Sequence, residues 1–194
     1  MNDKMLWYTT RGAGAVSLML LTAVVVVGLL ARLRFETEGW PRFLSATFHR
    51  DLALITVVFL ALHIVTAVVD PFTSLGLAPV VVPFGSSYRT FWLGLGTVAF
   101  ELLLAIVVTS LARAWIGVRP WRVVHWLAYA SWPLAVVHGL GTGTDARQVW
   151  MLGITVACIG LVAGVGLWRL VAAPADPLDA ARREAAGTHR VARR

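Results

Sequence analysis

The sequence predicts an all-α fold, an integral membrane helical bundle of about five transmembrane helices. Three observations carry this. Of the 194 residues, 58% are hydrophobic and only 14% are charged, with a mean hydropathy of +0.75, more apolar surface than a water-soluble domain of this size can hide. The apolar residues gather into five stretches, at roughly 12–31, 48–69, 91–112, 121–139 and 149–171. Each is close to the ~20 residues that span a hydrocarbon core of about 30 Å at 1.5 Å per residue. Finally, most of the charges fall between these stretches and at the chain ends.

The first stretch, GAGAVSLMLLTAVVVVGLLA, is N-terminal and could be mistaken for a secretory signal. It is longer than a signal core, is followed at once by Arg32 and Arg34, and lacks a small-x-small cleavage site, so it reads as a retained helix. The second holds His49 and His63. The connection after it, Asp70 to Thr90, contains three prolines and three serines and is expected to rest on the membrane surface. The third carries Glu101 near its middle, an unusual place for a carboxylate. The fourth runs through HWLAYASWPLAVVH, with His125, Pro133 and His138. The fifth contains Cys158 and the small-residue pattern GLVAG, Gly160 to Gly164. The remainder, rich in Ala, Arg and Pro, reads as a disordered basic tail over 173–194 in which His189 is solvated, leaving 1–172 as one membrane domain.

Cation placement sets the expected topology. If the N-terminus lies outside, the cytoplasmic side receives Arg32, Arg34, Arg42, Arg50, Arg113, Arg119, Arg122, Arg169, Arg182, Arg183, Arg190, Arg193 and Arg194. The outer side keeps Lys4, Arg11, Arg89 and Arg147. Positive charge concentrates inside in this orientation, so the N-terminus is expected outside and the C-terminus in the cytoplasm of a bacterial-type cell (inner) membrane. The net charge of +7 is then a topology signal with some attraction to anionic lipid, and no nucleic acid partner is needed. Trp7, Trp40, Trp92, Trp115, Trp121 and Trp150 fall near expected helix ends, as interfacial aromatics do. A single cysteine rules out an intramolecular disulfide and a cysteine-ligated iron–sulfur or zinc site within the chain; Cys158 reads as a small apolar filler.

Four histidines carry the chemistry. The second and fourth stretches run in the same direction, and each places one histidine near the cytoplasmic side (His49, His125) and one near the outer side (His63, His138). A planar metalloporphyrin takes axial ligands from both faces, and neutral imidazole suits haem iron. Two parallel helices with histidines at matching depths can clamp such a group. The 14-residue step from His49 to His63 is about 21 Å, and the 13-residue step from His125 to His138 about 19.5 Å, room for two haems in two leaflets. Azimuth is the stricter test. On an ideal helix His49 and His63 differ by only about 40°, whereas His125 and His138 fall about 220° beyond whole turns, and Pro133 is the expected place for the repair. The ordinary alternative for an intramembrane histidine is interhelical polar glue, contributing about 0.6 kcal/mol. Four histidines at two matched depths fit that alternative poorly.

These residues resemble a known family. HRDLALITVVFLALH, the loop piece PFGSSYR, and TSLARAWIGVRPWRVVHWLAYASWPLAVVHGLGTGTD are similar to the ferric reductase-like transmembrane domain. Within it they look like the small haem-binding membrane subunits related to that of the bacterial periplasmic methionine sulfoxide reductase system. The resemblance covers about residues 5–171. It implies a b-type cytochrome with two haems, one near each membrane face, moving electrons across the membrane. His49 would pair with His125 and His63 with His138 as ligands of the haem iron. Larger relatives have six helices and a cytoplasmic flavin and nicotinamide domain for which this chain has no room. The electron donor is therefore expected to be separate, a flavin reductase or a quinol, with an extracytoplasmic redox acceptor and flavin or quinone as further cofactors at a partner interface. The chain would be an electron-transfer subunit of an oxidoreductase. GLGTGTD, Gly139 to Asp145, follows a membrane helix without a preceding strand and is not read as a dinucleotide loop.

Around the ligands, Arg50 and Arg122 on the cytoplasmic side and Tyr88, Arg89 and Arg147 on the outer side are candidates for the anionic haem propionates. Trp132 and Phe59 lie between the two histidine levels, where a ring could fill the gap. Glu101 is a candidate proton or quinone site. Three rival readings stay open: a quinol-oxidising subunit, with Glu101 essential; a haem-free proton or metal-ion transporter; and a non-redox membrane anchor.

Overall fold

The computed structural model describes residues 3–32, 42–71, 73 and 75–171. The expected tail, 173–194, and Trp40 lie outside them. All regular structure among the described residues is helical: α1 (Asp3–Arg32), α2 (Arg42–Val69), a one-turn α3 (Ala78–Val81), α4 (Thr90–Leu111), a one-turn α5 (Arg113–Ile116), α6 (Val118–His125), α7 (Ala128–Thr142) and α8 (Val149–Val171). The chain is an all-α membrane helical bundle.

Four helices, α1, α2, α4 and α8, are each long and apolar enough to cross a membrane. The fourth expected crossing is not one helix but two, α6 and α7, separated at Trp126–Leu127. α1 is longer than the hydropathy pattern indicates and begins at Asp3 rather than near Gly12. Its extra turns carry polar side chains folded back on the helix, Thr9 Oγ1 donating to the Met5 carbonyl (2.8 Å) and Thr10 Oγ1 to that of Leu6 (3.0 Å).

α1 is the most enclosed of the four spans. It packs along α2 and touches α8 and α7, while α4 packs along α7. By contrast, α2 and α7 make at most glancing contact. They stand on two sides of a gap, and α1 touches both. Small residues permit the close pairs: Ala13 and Ala15 on α1 and Ala99 on α4 are buried, which suits helix association in lipid, where backbone approach and van der Waals contact replace the hydrophobic effect.

The middle of the bundle is tied by two buried hydroxyls. Thr22 and Ser131 are each 1% exposed. Trp132 Nε1 donates to Thr22 Oγ1 at 2.9 Å, joining α7 to α1, and Ser131 Oγ donates to the Ala99 carbonyl at 3.0 Å, joining α7 to α4. Cys158 is a free, buried thiol packed with Leu18 and Val136, with Trp132 and Ile154 against the cluster. The α2–α4 connection is fastened by Thr97 Oγ1, which donates to the Pro79 carbonyl at 2.7 Å.

Candidate functional site

The histidine steps on the two helices are matched by winding. Between His125 and Ala130 the backbone tightens: Leu127 N bonds the Val124 carbonyl, Tyr129 N that of Trp126, and Ala130 N that of Leu127, all three residues back. Such 3₁₀ winding turns 120° and rises about 2.0 Å per residue instead of 100° and 1.5 Å, so about five residues gain roughly 100° and 2.5 Å. The 13-residue step then ends about 40° short of whole turns and about 22 Å along, nearly the rotation and rise of the 14-residue step on α2. Sequence reasoning placed this repair at Pro133. Pro133 lies inside α7, and the tightening comes before it, centred on Trp126–Leu127.

Both helices thereby turn two histidines into the gap. The ring centroids of His49 and His125 stand 6.1 Å apart with planes at 59°, and those of His63 and His138 stand 6.4 Å apart with planes at 79°. A metal–imidazole bond of about 2 Å and about 1 Å more to the ring centre on each side put an axial pair about 6 Å apart. The spacing suits one metal held between two imidazoles at each level. Among the described residues no three or more His, Cys, Asp or Glu side chains gather as a chelating metal site, and an axial pair needs only two.

The His63–His138 level opens into two adjoining apolar cavities of about 220 and 130 Å³, both lined by Leu21, Leu60, His63, Leu103 and His138. A flat apolar group between α2 and α7 would occupy such a space. Each ring is held from behind: His63 Nδ1 donates to the Thr10 carbonyl at 2.8 Å and His138 Nδ1 to that of Trp92 at 2.9 Å. Because carbonyl oxygens only accept, Nδ1 carries the proton and Nε2 keeps the lone pair for a metal.

The His49–His125 level is built differently. His49 Nδ1 is buried and closes no regular hydrogen bond. His125 ends α6, and the Trp121 ring lies against it with centroids 5.0 Å apart and planes at 32°. Trp121 is positioned in turn by its Nε1 donating to Ser110 Oγ at 3.1 Å and by the Arg113 guanidinium 4.3 Å from its ring centre.

The expected surrounding residues divide. Tyr88 lines the larger cavity beside His63 and His138. Arg89 and Arg147 do not; they line a separate polar cleft with Trp92 and Gly141, where Arg89 donates to the Gly141 carbonyl. Arg50 is exposed and pairs with its neighbour Asp51 at 3.1 Å, and Arg122 is exposed. Trp132 sits between the levels in the core cluster; Phe59 is half-buried on α2 at a depth between them. Glu101 is half-buried in the middle of α4 and lines neither histidine cavity.

The cation at the larger cavity is one that sequence reasoning assigned to topology alone. Arg11 pairs with Asp145 at 2.7 Å, donates to the Thr144 hydroxyl, and lies 4.6 Å over the Trp7 ring. Arg11, Trp7, Thr144 and Asp145 all line that cavity. The available signal was register: Arg11 precedes Gly14, and an N-terminal helix start near Asp3 brings it to the depth of His63.

No curated protein and no solved structure matches the chain. The family described as the ferric reductase like transmembrane component matches residues 12–136, more than half of the chain, covering His49, His63 and His125 and stopping just short of His138. Transmembrane domains of this kind are typically associated with haem and work with separate redox partners. With its apolar helices and that match, the chain is a multi-pass membrane electron-transfer component and belongs to the ferric reductase-like transmembrane family.

Proposed function

We propose that this chain is a b-type dihaem membrane cytochrome subunit, with His49 and His125 as axial ligands at one level and His63 and His138 at the other. The observation that carries this is the pairing itself: two sets of facing imidazoles, 6.1 and 6.4 Å between centroids, across a gap that α2 and α7 do not close. Haem iron supplies one-electron chemistry, and bis-imidazole ligation favours outer-sphere transfer over oxygen binding.

The protein's own groups do the rest. The Thr10 and Trp92 carbonyls hold the Nδ1 protons of His63 and His138 and leave the Nε2 lone pairs for the metal. Leu21, Leu60, Leu93 and Leu103 give the cavity apolar walls. Arg11 and Tyr88, at the same cavity, are groups able to receive carboxylates there.

In the orientation favoured by the cations, His49–His125 lies toward the cytoplasm and His63–His138 toward the outside. Electrons would pass between the two levels, from a separate flavin reductase or quinol to an extracytoplasmic acceptor. The test is a reduced-minus-oxidised absorbance spectrum of the purified chain with haem extracted and counted. Two b-type haems per chain are expected. A colourless protein after expression with ample haem would end this reading and promote ion transport.

A further inference from the structure

Three of the four histidines are seated by one repeated backbone device, a bare glycine of a neighbouring helix. His63 lies on Gly14, where an added Cβ would stand 3.0 Å from Cε1 and Nδ1, and His49 lies on Gly28, with the corresponding Cβ 3.3 Å from Cε1. A Cβ on Gly96 would overlap the His138 ring. For His63 and His138 the carbonyl that accepts from Nδ1 belongs to the residue four before the glycine: Thr10 for Gly14 and Trp92 for Gly96. One helical turn separates the two, so the carbonyl that accepts from the ring and the bare backbone that admits it lie on the same face of the supporting helix.

On α1 the device repeats in register. Gly14 and Gly28 are 14 residues apart, and so are His49 and His63 on the antiparallel α2. Neighbouring helices so arranged present both histidines to α1 through the same contact at two depths. α4 supplies the third seat to α7. For His125 the place of the seat is taken by Trp121.

We infer that Gly14, Gly28 and Gly96 are positioning residues that fix the ring plane and forward reach of His63, His49 and His138, and that the carbonyls of Thr10 and Trp92 fix the tautomer of His63 and His138. This rests on the dihaem reading and deepens it. A glycine seat lets the ring lie against the helix, and at His63 and His138 the carbonyl behind it takes the Nδ1 proton, so Nε2 is left for the metal. Such hydrogen bonds behind a ligand tune ligand basicity and metal affinity, and their loss typically costs about 10- to 100-fold in affinity. A methyl at the seat pushes the ring forward or rotates it, altering ligation without removing a ligand.

The test uses the purified haem-loaded protein and four variants: Gly14→Ala, Gly28→Ala, Gly96→Ala, and Gly12→Ala as control, since nothing lies within 4 Å of a Cβ at Gly12. The readouts are low-spin ferric EPR, which senses the imidazole planes, potentiometric titration, and haem content. Gly14→Ala should shift the signal and potential of the His63–His138 haem alone, and Gly28→Ala those of the His49–His125 haem alone. Gly96→Ala should lose about half of the haem, one of two. Gly12→Ala should match the wild type. The inference is overturned if Gly14→Ala and Gly28→Ala are indistinguishable from Gly12→Ala, or if each moves both haems alike. Failure of the dihaem reading looks different, because the wild type itself is then colourless. In that protein, imidazole nitrogen NMR still decides the seats: loss of the Nδ1-protonated form of His63 in Gly14→Ala supports them, and an unchanged tautomer overturns them.

Discussion

The two histidine levels have nearly the same ring separation, reached by different construction. At His63–His138 both rings sit on continuous helix, each with its Nδ1 proton taken by a carbonyl of a neighbouring helix, beside an apolar cavity of about 220 Å³. At His49–His125 one ring lies at a helix break with the tilted Trp121 ring against it. The first level is oriented by hydrogen bonds and the second partly by aromatic contact. Equal spacing therefore need not mean equal stiffness or equal potential, since potential follows hydrogen bonding and burial around the ligands.

The strongest way to break the comparison is to delete one level. His63→Ala with His138→Ala should halve the haem per chain and leave the spectrum of the other level, and His49→Ala with His125→Ala should do the converse. Loss of all haem in either double variant would show that the levels are not independent. Trp121→Leu should disturb only the His49–His125 level, by about the 0.5–1.5 kcal/mol of an aromatic contact, read as a shift in that haem's potential. An equal shift in both would deny Trp121 its local role.

Asp145→Asn weakens the partly enclosed Arg11 pair at the other level. About 1 kcal/mol at most is at stake, roughly a fivefold change, and it should appear as faster haem loss from His63–His138 alone. Smallest of all, Arg50→Gln removes an exposed pair with Asp51 and should leave stability within about 0.5 kcal/mol and haem content unchanged by pyridine haemochrome assay.

Much of this was legible in the sequence because hydropathy and histidine depth are one-dimensional signals. Apolar length located the helices α1, α2, α4 and α8, and the two histidine steps gave two levels. What escaped was local winding. Nothing in VVHWLAYAS announces three-residue hydrogen bonding at Trp126–Leu127, and Pro133, the one conspicuous breaker, drew the expectation past it. Arg11 escaped for a related reason: the polar turns Tyr8 to Arg11 hid the helix start, so a cation near the cavity looked like a flanking charge. Arg89 and Arg147 were sequence neighbours of the right region, yet the 139–146 segment stands between their cleft and the histidines, a separation that only packing decides.

The tight winding after His125 also bears on how length changes can accumulate in the two helices. An extra residue inserted between His49 and His63 would swing His63 by about 100° out of the gap, with no irregular stretch to absorb it. An extra residue at Trp126–Leu127 could be taken up by relaxing the overwound segment to ordinary helix, leaving His138 near its present azimuth. The protein thus has slack on one side of its cofactor gap and none on the other, and chain-length variation among its descendants should collect accordingly.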